Sequence, residues 1–286
     1  MSSLKDRLKN AALKLGIDYF GVSPADRLRW APEGHRPEDL LEDVKSVISI
    51  GVRVGVGVAE ANRLAHSGLR HAIYVYMVFG YSLLNQILNT AALRISRILE
   101  AEGYVSMPIP ASPPFDPLNL TGVISHRHAA VAAGLGELGW NSLLLTPDSG
   151  PRVRLATILT KAELEPDPQY SGKPLCDREA CGLVCAKACP LGAIHPEKYV
   201  SVRIGEKVYR YALIDKWKCR IGSEGLTSKT LARKPFEVPS KAASEAYLEA
   251  LKSEDVWQKM EKVEGDVYCG LCMMRCPVGL KLKLEG

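Results

Sequence analysis

The chain switches between two apolar periods, and the period marks the elements. Residues 3–15 (SLKDRLKNAALKL) repeat apolar side chains every three or four positions, which predicts an amphipathic helix stopped at Gly16. Residues 17–22 read as a strand, and residues 46–54 (SVISIGVRV), β-branched and apolar, as a buried one. A long helix is predicted over 69–102, with Leu84, Leu88, Ile95 and Leu99 at helical spacing and Gly103 as its stop. Residues 104–109 form the next strand, 110–117 a proline-rich loop, 129–133 a helix and 141–145 a strand. Residues 152–160 (RVRLATILT) alternate polar and apolar positions as a half-buried strand does. The linker EPDPQYSGKP then breaks the pattern. Beyond it lie a hairpin over 202–213 and a helix over about 241–262.

These elements divide the chain into an α+β domain, 1–165, and a cysteine-bearing domain, 170–286, with an insertion at about 200–265. A length of 286 residues is enough for one large or two modest cores. Residues 72–93 carry no formal charge and could be taken for a membrane span, but Asn85, Gln86, Asn89 and Thr90 favour a buried core helix. The net charge of +5 suits an acidic electron donor or an anionic ligand without demanding nucleic acid. The N-terminus is charged and has no apolar signal core, so a reducing cytoplasmic setting is expected.

The eight cysteines carry the chemistry. Four lie in CDREACGLVCAKACP (Cys176, Cys181, Cys185, Cys189), three in CGLCMMRCP (Cys269, Cys272, Cys276), and Cys219 stands between them. Both runs close in C-x-x-x-C-P, as in bacterial two-cluster ferredoxins, where the last cysteine of each run ligates the other run's cluster. That rule predicts one [4Fe–4S] cluster on Cys176, Cys181, Cys185 and Cys276, and a second on Cys189, Cys219, Cys269 and Cys272. The first two gaps, of four and three residues, exceed the usual two, which loosens the assignment of Cys176 and Cys181. Structural zinc and disulfides are the alternatives. Zinc pairs short cysteine knuckles and does not ask for Cys-Pro, and disulfides are rare in a reducing compartment.

Other candidates are less specific. Gly134-Leu-Gly136-Glu-Leu-Gly139 matches G-x-G-x-x-G, but here a helix precedes the glycines and a strand follows. A dinucleotide fingerprint needs the reverse order, so a tight turn or close backbone approach is expected instead. In His126-Arg127-His128 the two histidines point apart on a helix and cannot share a metal. They serve either helix packing or the polar edge of a cofactor or substrate. His195 is expected at the surface near a cluster. Asp116 is either a proton donor or a turn-forming residue.

Residues 125–160, SHRHAAVAAGLGELGWNSLLLTPDSGPRVRLATILT, resemble the corresponding region of epoxyqueuosine reductases and reductive dehalogenases. The matched positions are Ala133 to Gly136, Gly139, Asn141, Leu143 and Leu144, and Cys219 in KWKCRI is similar to an isolated cysteine that ligates the second cluster there. The resemblance implies an N-terminal domain of nitroreductase-like or B12-processing-like fold holding a cobalamin, followed by a ferredoxin-type domain. It implies cofactor contacts from Arg127, His128, Gly134, Gly136 and Asn141, and a reduced ferredoxin or flavodoxin as donor. Three departures limit it. Leu120 stands where an epoxyqueuosine reductase has its catalytic Asp, leaving Asp116 or His126 as candidate acids. The sequence ends ten residues after Cys276, without the extension that helps hold tRNA, which speaks against a tRNA substrate. It also lacks a twin-arginine signal, which speaks against a respiratory dehalogenase. The expectation is a corrinoid-dependent iron–sulfur reductase of a small substrate. The competing expectations are an electron carrier or reductive activator of a partner corrinoid protein and, behind it, a corrinoid-binding chaperone.

Overall fold

A computed structural model describes residues 2–112, 116, 119–223 and 269–279. The elements run α1 (Leu4–Lys14), β1 (Tyr19–Pro24), α2 (Pro37–Leu40), β2 (Ser46–Arg53), α3 (Val56–His66), α4 (Ile73–Val75), α5 (Leu83–Ala101) and β3 (Ser106–Ile109). They continue with α6 (His126–Ala132), β4 (Glu137–Leu138), β5 (Leu144–Leu145), β6 (Val153–Thr160), α7 (Val184–Lys187), β7 (Ile194–Ile204), β8 (Lys207–Ile214), α8 (Lys216–Ser223) and α9 (Leu271–Met274). The predicted helix over 241–262 lies outside the described residues.

Four strands form an antiparallel sheet in the order β1-β2-β6-β3. Alternation along β2 and β6 sends side chains to opposite faces. Ile48, Ile50, Ala156 and Ile158 meet α1 and α5 through Leu8, Ala12, Leu88, Ile95 and Leu99 in one buried core. Val47 and Leu159 face the other way and join Ala129 to Ala132 of α6, with Leu138 and Leu144, in a second. Alanines let α6 lie close to the sheet: a Cβ on Gly21 of β1 would meet the Ala133 carbonyl at 2.5 Å.

The predicted helix over 69–102 is not one regular rod. A 3₁₀ turn at Arg70–Ala72, α4, a π-helical segment at Tyr76–Ser82 and α5 follow one another. No helix among the described residues is long and apolar enough to cross a membrane. The predicted strand over 141–145 shrinks to β5, because residues 139–143 are consumed by a turn in which Ser142 N–H donates to the Gly139 carbonyl (2.9 Å). The hairpin is longer than predicted, with β7 starting at Ile194 and a register irregularity between Ile194 and Tyr199. The cysteine-bearing segments do not stand apart from the first cores. Met273 and Met274 of α9 are buried among the α5-side residues. Arg152, 5 % exposed, donates to the carbonyls of Met273 (3.3 Å), Cys276 (3.0 Å) and Val278.

Candidate functional site

All eight cysteines are free thiols, and Cys176, Cys185, Cys189 and Cys272 share one cluster with Trp140, Ile194 and Ala212. Cys176 precedes the turn into α7, Cys185 lies within α7, and Cys276 returns beside them on the far side of α9. With Cys181 they line a cavity of about 300 Å³, together with Trp140, Arg178 and Pro277. Among the described residues no three His, Cys, Asp or Glu converge as ligands of a single metal ion would. Four thiols spread around a cavity suit a polynuclear group better than one ion, because a cubane core fills volume between its ligands. Burial pushes the Cys185 thiol up to about 11, and the neighbouring Cys176, Cys181 and Cys276 push the same way.

The second thiol group sits alongside. Burial raises the Cys272 thiol well above its ordinary range, and Cys219, Cys269 and Cys189 are the next causes in that direction, followed by Cys185 of the first group. Cys219 is carried by α8, and Cys269 comes just before α9. Donors face the sulfurs: Trp140 N–H reaches Cys176 Sγ (3.3 Å) and Ala193 N–H reaches Cys189 Sγ (3.2 Å). Hydrogen bonds of this kind tune thiolate-bound clusters.

A second, larger cavity of about 1040 Å³ adjoins this group. Ala193 belongs to its wall, as do Trp217 and Lys218 just before Cys219. His35, Asp116 and His195 line it as well. Its size is at the upper end for small-molecule and cofactor sites. The Asp116 carboxylate accepts from Asn119 N–H (3.3 Å) and Asn119 Nδ2 (2.6 Å), and its own N–H donates to the Thr121 carbonyl (2.7 Å). Asp116 therefore both forms a turn and borders the cavity.

The remaining predicted residues fall in several places. His126 Nε2–H donates to the Pro110 carbonyl (3.0 Å), which leaves Nδ1 to accept from the Thr157 hydroxyl (2.8 Å). Both ring nitrogens are thus committed to the fold, and desolvation pushes the imidazole down to about 4. Burial also pushes His128 down to about 4, and its Nε2 is buried without a hydrogen-bond partner. Arg127 donates through Nη1 to the Ser142 carbonyl (2.5 Å) and hydroxyl (2.7 Å), and its charge acts on Cys219. Asn141 Nδ2 donates to the Cys272 carbonyl (3.2 Å). Gly134 (φ 79°) and Gly136 (φ 157°) make close approaches to the chain's own backbone: a Cβ would meet the Pro168 carbonyl at 2.1 Å or the Leu145 carbonyl at 1.9 Å. His195 lines the larger cavity, with Nδ1 accepting from Glu197 N–H (3.0 Å) and Lys198 N–H (2.8 Å).

Several site residues escaped sequence reasoning. Trp140, 4 % exposed, packs between the thiol groups, and the Arg178 guanidinium lies 4.2 Å from its ring centre. Asn62 Nδ2 and His66 Nε2 of the unpredicted helix α3 both donate to the Cys269 carbonyl (3.2 and 2.8 Å). Arg154, stacked 4.1 Å from the Tyr81 ring, ties the π-helical segment to β6. Only Trp140 left a trace, by sitting beside the already singled-out Asn141.

An antiparallel sheet between helical layers, with cysteine-bearing segments packed onto it, is a fold that known proteins share. No protein-family profile matches the chain. A tetrachloroethene reductive dehalogenase of Desulfitobacterium hafniense is 51% identical over 227 residues, covering 67% of this chain and 38% of that protein. An epoxyqueuosine reductase of Listeria monocytogenes is 25% identical over 226 residues, covering 71% and 55%. The structure of an epoxyqueuosine reductase with an epoxyqueuosine-modified tRNA stem loop superposes with TM-score 0.54 at 18% identity, covering 96% of this chain and 65% of that one. A reductive dehalogenase described as B12-dependent superposes with TM-score 0.54 at 17% identity, covering 91% and 36%. The chain belongs to the epoxyqueuosine reductase and reductive dehalogenase superfamily, and it spans less than two thirds of the length of these curated relatives.

Proposed function

We propose that the chain is a reductase that carries single electrons through two [4Fe–4S] clusters to a corrinoid in the larger cavity, where a small-molecule substrate is reduced. The observation that carries this reading is the set of four thiols, Cys176, Cys181, Cys185 and Cys276, around one cavity, with a larger cavity of cofactor size walled by Ala193, whose N–H meets Cys189 Sγ, and by Trp217 and Lys218 next to Cys219. Cys176, Cys181, Cys185 and Cys276 would hold one cluster and Cys189, Cys219, Cys269 and Cys272 the other, in the arrangement of a ferredoxin-type domain. Bound clusters supply one-electron relay, and a bound corrinoid supplies a strongly reducing metal centre.

The chain's own residues do the rest. N–H groups of Trp140 and Ala193 donate to the Cys176 and Cys189 sulfurs, as hydrogen bonds to thiolate-bound clusters do. Burial of Cys185 and Trp140, with Cys272 partly buried beside them, limits the access of water to the relay. Asp116, on the cavity wall, holds a proton for the substrate, with its Asn119 contacts fixing the carboxyl. Electrons enter from a reduced ferredoxin or flavodoxin, whose acidic surface suits a chain of net charge +5. A reducing cytoplasm suits thiol ligands of this kind.

Anaerobic purification, iron and sulfide analysis and a corrinoid titration followed by absorption test this reading. About eight irons per chain and a bound corrinoid are expected. Eight irons without corrinoid binding would overturn the terminal step and leave a carrier that reduces a partner corrinoid protein. Asp116→Asn is expected to slow turnover about 100-fold or more while iron content and corrinoid binding hold.

A further inference from the structure

Residues 139–143 form a turn whose consecutive residues 140, 141 and 142 reach the first thiol group, the second thiol group and α6 in turn. Trp140 N–H donates to Cys176 Sγ (3.3 Å) in the first group. Asn141 Nδ2 donates to the Cys272 carbonyl (3.2 Å) in the second. Ser142 accepts Arg127 Nη1 on both its carbonyl (2.5 Å) and its hydroxyl (2.7 Å), which anchors the turn to α6. No salt bridge pairs Arg127 with a carboxylate among the described residues.

The turn is over-determined. Trp140 is fixed from outside by Nε1–H to the His195 carbonyl (3.2 Å) and by Ala212 N–H to its own carbonyl (2.9 Å). Asn141 Oδ1 accepts Leu143 N–H (3.2 Å), and a Cβ on Gly139 would press within 2.9 Å of that same oxygen. Ser142 adopts φ 61°, a left-handed conformation that a serine holds only when its surroundings impose it. A turn serving as a simple link between β4 and β5 would need none of these contacts with the cysteine segments.

We propose that this turn is a strut that sets the spacing and orientation of the two thiol groups, with Asn141 and Arg127 as its positioning residues. The inference rests on the two-cluster reading above. Electron transfer between two centres falls steeply with separation, so a rigid element between them sets the rate of relay without touching an electron itself. Sequence alone singles out Gly139, Asn141 and Arg127 but gives them no common purpose. The turn supplies one.

The test is the magnetic interaction between the two reduced clusters, read by electron paramagnetic resonance on the anaerobically purified full chain. That dipolar splitting depends on the cube of the distance and on orientation, and it reports geometry rather than turnover. Asn141→Ala and Arg127→Gln are each expected to retain about eight irons and to change the splitting. Arg127→Lys, which keeps a charged donor for Ser142, is expected to return it towards wild type. Unchanged splitting in both Asn141→Ala and Arg127→Gln overturns the strut. So does loss of one cluster alone with no change beyond its absence, which would make these residues scaffold for a single site. Should Arg127→Gln not fold, Asn141→Ala and Arg127→Lys decide by the same splitting. A wild-type chain without iron would overturn the two-cluster reading itself, and iron content separates that failure from a failure of the strut.

Discussion

His126 shows how one side chain can look catalytic in sequence and serve packing in the fold. Its neutral ring donates to Pro110 and accepts from Thr157, and desolvation, the largest cause, holds it at about 4 against an ordinary 6.5. The unfolded chain takes up a proton near pH 6.5 and the folded chain does not, so stability is full above that pH and drains away as pH falls towards 4. Denaturant midpoints across this range should fall with acidity in the wild type and fall less in His126→Gln. The glycines make a second residue-scale prediction. Gly136→Ala should cost about 2 kcal/mol or more in denaturant unfolding, because it adds a Cβ against the Leu145 carbonyl at a φ of 157°. Gly16→Ala meets nothing within 4 Å and should cost only about 1 kcal/mol for its left-handed backbone. Motif reading marked these glycines and the histidine pair. It could not say that the glycine partners are distant carbonyls, because no local pattern encodes Pro168 folding back over Gly134.

At the scale of elements, periodicity found α1, β1, β2, β6 and α5 because each buries a regular stripe or face. Leu88, Ile95 and Leu99 on α5 are fully buried, as their spacing implied. Leu88→Ala should therefore lose about 2–5 kcal/mol in denaturant unfolding, whereas Leu93→Ala, at a position 45% exposed, should lose well under 1 kcal/mol. The helix α3 was missed because its buried face is made of Ala61, Asn62 and Ala65, which carry little apolar signal. The π-helical segment Tyr76–Ser82 was invisible for another reason. It keeps the helical course and changes only which carbonyl each N–H meets, which leaves the apolar period of the sequence unmarked.

At the scale of the whole molecule, covalent spacing limits which thiols can meet, and the closing C-x-x-x-C-P runs predict an exchange of ligands. Cys176, Cys181, Cys185 and Cys276 line one cavity, and Cys272 has Cys219, Cys269, Cys189 and Cys185 as electrostatic neighbours. Under the proposed function, Cys219→Ala should drop the iron content from about eight to about four per chain. Retention of all eight would remove Cys219 from the ligand set. What spacing could not show is how the cysteine segments attach to the sheet, since those attachments run through Arg152, Asn141 and Asn62, polar residues with no periodic signature.

Arg152 has a consequence for how the protein comes into being. Its guanidinium, one residue ahead of β6, donates among the described residues to the carbonyls of residues 273, 276 and 278, which are synthesised more than 120 positions later. During translation the sheet must wait with a buried-type cation unpartnered. Closing so long a loop carries an entropic cost that grows only slowly with its length, about 0.6 kcal/mol for each doubling. The late segment therefore completes the early domain as well as the thiol group. A nascent chain halted before Met273 should hold neither in finished form.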